Sequence, residues 1–368
     1  MVDGGTMRAR GSLFVFQLFD VCEAILMDEL KRLLGGPEVR HKLAAHQPGQ
    51  TQVWFEPPPA VQSLGEVEFA KNEPFHGEMH YFSYGVVSLR LERAFDLEWQ
   101  ELIELCERWI AAPAAETAAA EQVRRRLGAV SSALVKPYDP HLSEDYTIIR
   151  LDPFPGSSGV LSAEELLARC GGKIAQIVRG DANPLATEEQ GHVLASRLSY
   201  YPNDLIVAGW SAACVYDTPA GAEATIRLIE YANTQLLEFR FYDEFLTRTL
   251  REVYRLLDEG TGFWRRWRLA REAERLNTVR LDVYELTERA DNAAKFLSDM
   301  FAARLYRLVA EKVGVSDYRR LVVDKLQTAG ELYRLMTERI HQSSALILET
   351  MVVIILIIDL VFLFRGKT

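Results

Sequence analysis

Twenty residues from Ala345 to Phe364 contain 15 Leu, Ile, Val or Phe side chains. No other feature restricts the fold as strongly, because a helix that is apolar on every side has to be covered by something other than water. At ~1.5 Å per residue the run spans ~30 Å, the thickness of a bilayer's hydrocarbon core. Side chains of this kind in that number favour insertion by about 5 to 9 kcal/mol, against a cost of about 3 kcal/mol for an acid at the helix centre. Asp359 lies off centre and Glu349 lies near one end, so the balance favours insertion. The sequence predicts one C-terminal transmembrane helix over 345–364 and a single-pass, tail-anchored topology. The body is expected on the cytoplasmic side, with the lipid bilayer as a partner. A helix buried in the core of a soluble oligomer is the other reading of the same run.

The residues before this run repeat a second pattern. Apolar positions at Leu276, Val279, Val283, Leu286, Ala290, Ala293, Leu297 and Met300 alternate by three and four, the spacing of a coiled-coil seam. A similar series runs from Val322 through Leu326, Ala329, Tyr333, Met336, Ile340 and Ser343 to Ile347, leading straight into the apolar run. The short Gly314-Val315 turn predicts that the two helices are antiparallel neighbours, and a seam of this length predicts a homo-oligomer. Pairing along their whole length would place residue 284 opposite 345 and push the charged stretch 263–283 into lipid. The helices are therefore expected to part, leaving Trp264, Arg265, Arg266, Trp267 and Arg268 at the membrane interface, which suits Trp and Arg. Glu349 and Asp359 fall ~80° apart around the helix. With Ile347, Ile354 and Ile358 they mark the expected face for anchoring and helix pairing.

Upstream, the chain reads as an α+β body. Leu13–Phe19 has strand character, and Val21, Ile25, Leu26, Leu30 and Leu33 carry helical spacing up to Gly35-Gly36-Pro37. Gln52–Phe55 reads as a short strand, and Met79–Leu91 as a long one. Leu97–Ile110 reads as an amphipathic helix with Asp96 as its N-cap. The Ala-rich stretch 111–127 is compatible with helix or linker. Tyr146–Leu151 and Leu205–Tyr216 read as strands. Ser162 and Glu165 form a capping-box signature for a helix from 163, and Thr218-Pro219 opens a long helix. The expected architecture is a ferredoxin-like strand–helix body in two halves, 1–130 and 131–218. A coiled-coil stalk over 219–344 and the anchor over 345–364 follow.

Chemistry is harder to find. The formal net charge of −10 makes a nucleic-acid partner a poor expectation. Cys22, Cys106, Cys170 and Cys214 are scattered without a C-x-x-C pair, as for buried, reduced thiols. His76-Gly-Glu-Met-His80 has the spacing of a zinc helix but not its order, and it runs into a strand. Asp152-Pro-Phe-Pro-Gly-Ser-Ser-Gly159 lacks the Lys-Ser/Thr ending of a phosphate loop. No catalytic residue, metal site or cofactor is predicted.

Two segments carry a resemblance. Leu326-Gln-Thr-Ala-Gly-Glu-Leu-Tyr-Arg-Leu-Met336 and Ser344 to Asp359, with their Leu-Glu pair, Ile/Leu-rich run and second acid, resemble the end of the required-for-meiotic-nuclear-division family. Phe82-Ser-Tyr-Gly-Val-Val87 is similar to that family's Tyr-Gly-Val-Val strand, although Ser88, Leu89 and Arg90 stand where a Trp often follows. The resemblance implies membrane anchoring and self-association, with no reaction or cofactor. The expected function is a membrane-anchored, non-enzymatic scaffold that self-associates through its coiled coil and C-terminal helix. The alternative is a tethered ligand- or nucleic-acid-binding module.

Overall fold

The computed structural model describes residues 8–35, 58–70, 73–110, 113–156, 159–258 and most of 271–365, leaving out 272, 273, 276, 282 and 289–299. The expected strand Gln52–Phe55 and the segment Trp264–Arg268 lie outside the described residues. So do Leu276, Ala290, Ala293 and Leu297 of the expected seam.

The chain divides into two compact units, residues 1–241 with 288–318, and residues 242–287 with 319–368. The first is built around strand β1 (Ala9–Ile25), which is almost wholly buried. Helical spacing after Asp20 predicts a helix there, yet the strand runs on to Ile25 and helix α1 is confined to Met27–Leu33. Neighbours on both edges explain the difference. The β5 ladder on one edge, and the Gly85 and Ser83 carbonyls accepting from Val21 and Ile25 on the other, satisfy backbone groups that a helix would otherwise pair internally, and tertiary pairing outweighs a modest local preference.

Strands β2 (Ala60–Ala70), β3 (Glu73–Tyr81) and β4 (Val86–Leu97) follow as a meander, then helices α2 (Trp99–Ile110) and α3 (Pro113–Ala129). The strand expected over Met79–Leu91 is thus two strands, turned at Gly85. That residue has φ +93°, and a Cβ there would stand 1.8 Å from the Cys22 carbonyl oxygen. Asp96 is not a cap; it receives Arg8 and Arg10. Strand β5 (Leu134–Leu151) lies on the other edge of β1, antiparallel, with a bulge between Asp20 and Cys22. β6 (Pro155–Gly156) and β7 (Gly159–Val160) form a separate small ribbon.

Ser162 caps helix α4 (Ala163–Arg179) with the reciprocal Glu165 bond that its spacing predicts. Helix α5 (Thr187–Ala195), strands β8 (Arg197–Leu198), β9 (Leu205–Ala208) and β10 (Ala212–Tyr216), and the 40-residue helix α6 (Pro219–Asp258) follow. The single strand expected over Leu205–Tyr216 is a hairpin turned at Gly209–Ser211.

The eight strands form one sheet in the order β2-β3-β4-β1-β5-β10-β9-β8, all antiparallel except β10 against β5. This corrects the two ferredoxin-like halves, since β1 is hydrogen-bonded to strands from both. Odd-numbered β1 residues such as Leu13, Val15 and Phe19 meet α2, α3 and α4 in the main apolar core. Phe14, Phe16 and Leu18 point to the other face, where Arg90 lies over Phe14 and reaches Glu223 of α6. Tyr231 of α6 lies beside Tyr306 of helix α7 (Met300–Lys312), 6.0 Å between ring centroids with the rings tilted by 42°.

In the second unit the remainder of α6, the helical residues between 271 and 288, and helix α8 (Val315–Arg365) come together. Leu246, Leu250 and Val253, then Val279, Val283 and Leu286, then Val322, Ala329 and Leu332 are buried at heptad-like spacing. Arg275 lies over the Phe245 ring, and Lys325 Nζ donates to Asp243 Oδ1 at 2.5 Å and to Thr247 at 2.6 Å. Tyr284 shares a groove with Val323–Gly330, nearer the turn than the expected partner at 345.

The transmembrane anchor is corrected. Among the described residues no helix is long and apolar enough to cross a membrane. The single-pass topology, the membrane localisation and the bilayer partner expected from the sequence lose their support. Ala345–Phe364 is the distal part of one continuous helix, and two acids interrupt it. Between Glu349 and Asp359 the uninterrupted stretch is nine residues, ~13 Å of helix against ~30 Å of hydrocarbon.

Candidate functional site

The most unusual chemistry in the described residues is a buried charged layer between the sheet and α6. Its placement follows from strand register. Opposite residues in an antiparallel ladder share a face, and here Phe16 faces Arg90, Leu18 faces Ser88, Glu78 faces Arg90 and His80 faces Ser88. One sheet face therefore carries Glu78, His80, Ser88, Arg90 and Asp20 among Phe14, Phe16 and Leu18. Above it α6 presents Glu223, Glu230, Thr234 and Glu238, spaced so that they lie along one stripe of the helix.

His80 Nδ1 lies 2.9 and 3.0 Å from the two oxygens of Glu230, and its Nε2 is 3.5 Å from Glu78 Oε2. His80 and Glu230 are 2% and 3% exposed. Arg90 donates from Nη1 and Nη2 to both oxygens of Glu223, each at 3.0 Å, and its guanidinium sits 4.8 Å from the centroid of Phe14. Arg227 Nε donates to Glu223 at 2.8 Å. Further along, the Tyr84 hydroxyl is 2.8 Å from that of Thr234, and Arg240 pairs with Glu144.

These contacts set the protonation states. Burial by itself would push the His80 pKa down, but the Glu230 and Glu78 carboxylates more than reverse that and hold it at about 9. The bond from His80, assisted by Arg90, draws Glu78 down to about 2. Burial works against ionised Glu230 and Glu223 too, and is outweighed by His80 and Arg90 respectively, so both stay below the ordinary carboxylate value. Among the described residues no such cation is set against Asp20. Burial, with Glu238 adding repulsion, raises it to about 9. At neutral pH the layer thus holds protonated His80, charged Arg90, ionised Glu78, Glu223 and Glu230, and neutral Asp20.

Two cations and their carboxylates, in directed contacts, clamp a helix to a sheet. That is the chemistry the geometry supports here, since His80 already holds its proton at neutral pH. Among the described residues no group of three or more His, Cys, Asp or Glu is arranged to hold a metal ion. His76 lies on the same strand as His80, which is spoken for by Glu230.

The site residues expected from the sequence lie elsewhere. Ile354 and Ile358 are on α8, 50% and 48% exposed. The side chains of Ile347, Glu349 and Asp359 and all of Trp264, Arg265, Arg266, Trp267 and Arg268 lie outside the described residues. No motif marks the charged layer in the sequence. Its traces are the polar residues at alternate positions 78, 80, 88 and 90 of two strands, and the Glu223–Glu230–Glu238 spacing on a long helix.

No solved structure matches the chain. Among curated proteins, the uncharacterized protein MJ0711 of Methanocaldococcus jannaschii is 20% identical over 188 residues, 51% of this chain and 58% of that protein. The chain thus matches somewhat more than half the length of that relative. The sequence profile of the N-terminal domain of uncharacterized protein MJ0711 matches residues 10–223, from β1 to the first turn of α6, taking in Glu78, His80, Arg90 and Glu223. The chain belongs to that domain family.

Proposed function

We infer that the chain is a non-enzymatic scaffold that self-associates through the helices of its second unit. One observation carries the reading. On α8, Met351 to Ile358 and Leu360 are nine aliphatic side chains that are each about half exposed. Isolated apolar residues on a surface are ordinary, but a continuous exposed run of this kind marks an interaction surface. A second copy of the chain carries the same apolar run, so association of two copies can remove both runs from water. The resemblance of Leu326–Met336 and Ser344–Asp359 to the end of the required-for-meiotic-nuclear-division family supports the same reading. Most of that resemblance lies beyond residue 223, outside the matched domain.

Light scattering after size exclusion tests it. The full chain is expected to run as an oligomer at micromolar concentration, and the double substitution Ile354→Glu and Ile358→Glu as a monomer with unchanged circular dichroism. A monomeric full chain would sink the reading.

A further inference from the structure

We propose that the apolar end of α8 docks in the groove beside Gly330 on a second copy of the chain; this rests on the self-association reading above and names its seat. The groove has a volume of about 300 Å³ and runs between α8 and the helical residues 283–287, with Arg280, Thr287 and Gln327 adding polar groups to its lining. Val283 and Leu326 form its floor. Tyr284 and Val323, 65% and 45% exposed, form its walls. Gly330 opens one side: a Cβ built there meets no atom within 4 Å.

Size and chemistry match the two surfaces. From Val323 to Gly330 the groove runs ~10 Å along α8, and Met351–Ile358 presents a similar length of uncharged, apolar helix. Helix-in-groove packing joins surfaces of this kind. One copy cannot fill its own groove with its own helix end. Gly330 and Ile354 belong to the same unbroken helix, 24 positions apart, which separates them by ~36 Å. The occupant therefore comes from another copy. Every copy carries both surfaces, so reciprocal exchange fills two grooves at once and closes a pair.

Cross-linking between copies reads this out. The four native cysteines are free and buried. One batch carries Gly330→Cys and the other Ile354→Cys; the two are mixed and treated with diamide, which takes up the two electrons as the thiols join. A disulfide-linked pair is expected only from the mixture. The substitution Gly330→Trp, placed where there is open space, is expected to fill the groove and raise the dissociation concentration at least tenfold, with circular dichroism unchanged. An associated chain that neither cross-links in the mixture nor responds to Gly330→Trp overturns the groove and leaves self-association standing. A Ile354→Cys batch that cross-links with itself does the same, by placing the helix ends against one another. A chain that stays monomeric, with or without lipid vesicles, overturns both.

Discussion

His80 arrives in the interior on a strand and meets a carboxylate from a helix 150 residues away in sequence. Burying a charge costs several kcal/mol, and an opposite charge in good geometry offsets much of it. Removing one partner leaves the other stranded. Glu230→Gln is expected to cost roughly 3 to 5 kcal/mol in urea denaturation, whereas the double change His80→Leu with Glu230→Leu recovers most of that loss. A double variant no more stable than the single one would mean the pair adds more than mutual neutralisation. The pH dependence has a definite sign. His80, raised from 6.5 to about 9, contributes stability in full below pH 6.5 and loses it as the pH rises through 9. Asp20, raised from 3.8 to about 9, keeps a proton that the unfolded chain releases, so it too favours the fold less with each step from pH 3.8 toward 9. Glu78, drawn from 4.5 to about 2, contributes above pH 4.5 and loses that on acidification toward 2. Stability is therefore expected to fall between pH 5 and 9, and a rise across that window would contradict the assignment.

At the scale of elements, turns decide where helical and strand patterns stop. Gly85 ends what alternation alone extends from Met79 to Leu91, because its backbone packs against the Cys22 carbonyl at φ +93°. Gly85→Ala is expected to destabilise by at least ~2 kcal/mol, combining left-handed strain with a clash; thermal melting measures it. Ser162→Ala removes one half of the α4 capping box and is expected to cost ~1 kcal/mol in the same assay. The capping box was legible because both of its bonds are local. The helix expected after Asp20 does not form because its competitor is not local: the β5 ladder on one edge, and backbone bonds from Val21 and Ile25 to the Gly85 and Ser83 carbonyls on the other, hold Val21–Ile25 extended. The helices of the second unit show the same division. Val279, Val283 and Leu286 lie where the seam spacing places them. In α8, Val322 and Ala329 of the seam are buried, and Leu332 beside them is buried too.

For the molecule as a whole, one sheet organises the first unit, and β1 is its central strand. A strand hydrogen-bonded on both edges and buried on both faces opens only with the unit itself. Amide exchange is expected to be slowest in Leu13–Phe19 and faster in β8 and β2 at the sheet's edges; equal protection across the sheet would argue against a single cooperative unit. The matched family domain covers residues 10–223, so Glu230 and Glu238, which complete the charged layer, lie on the part of α6 beyond it.

The apolar run over 345–364, examined alone, established that part of this chain must be covered, and its content does not depend on the fold. What covers it is a different matter, because a hydropathy sum gives the same total whether or not acids divide the run. The Ser162 capping box and the heptad spacing are likewise local and could be read directly. The single sheet, the hairpin at Gly209 and the charged layer could not. Each depends on residues far apart in sequence sharing one register or one helix face, as His80 and Glu230 do. Only the tertiary structure brings such residues within the ~3 Å at which a hydrogen bond acts.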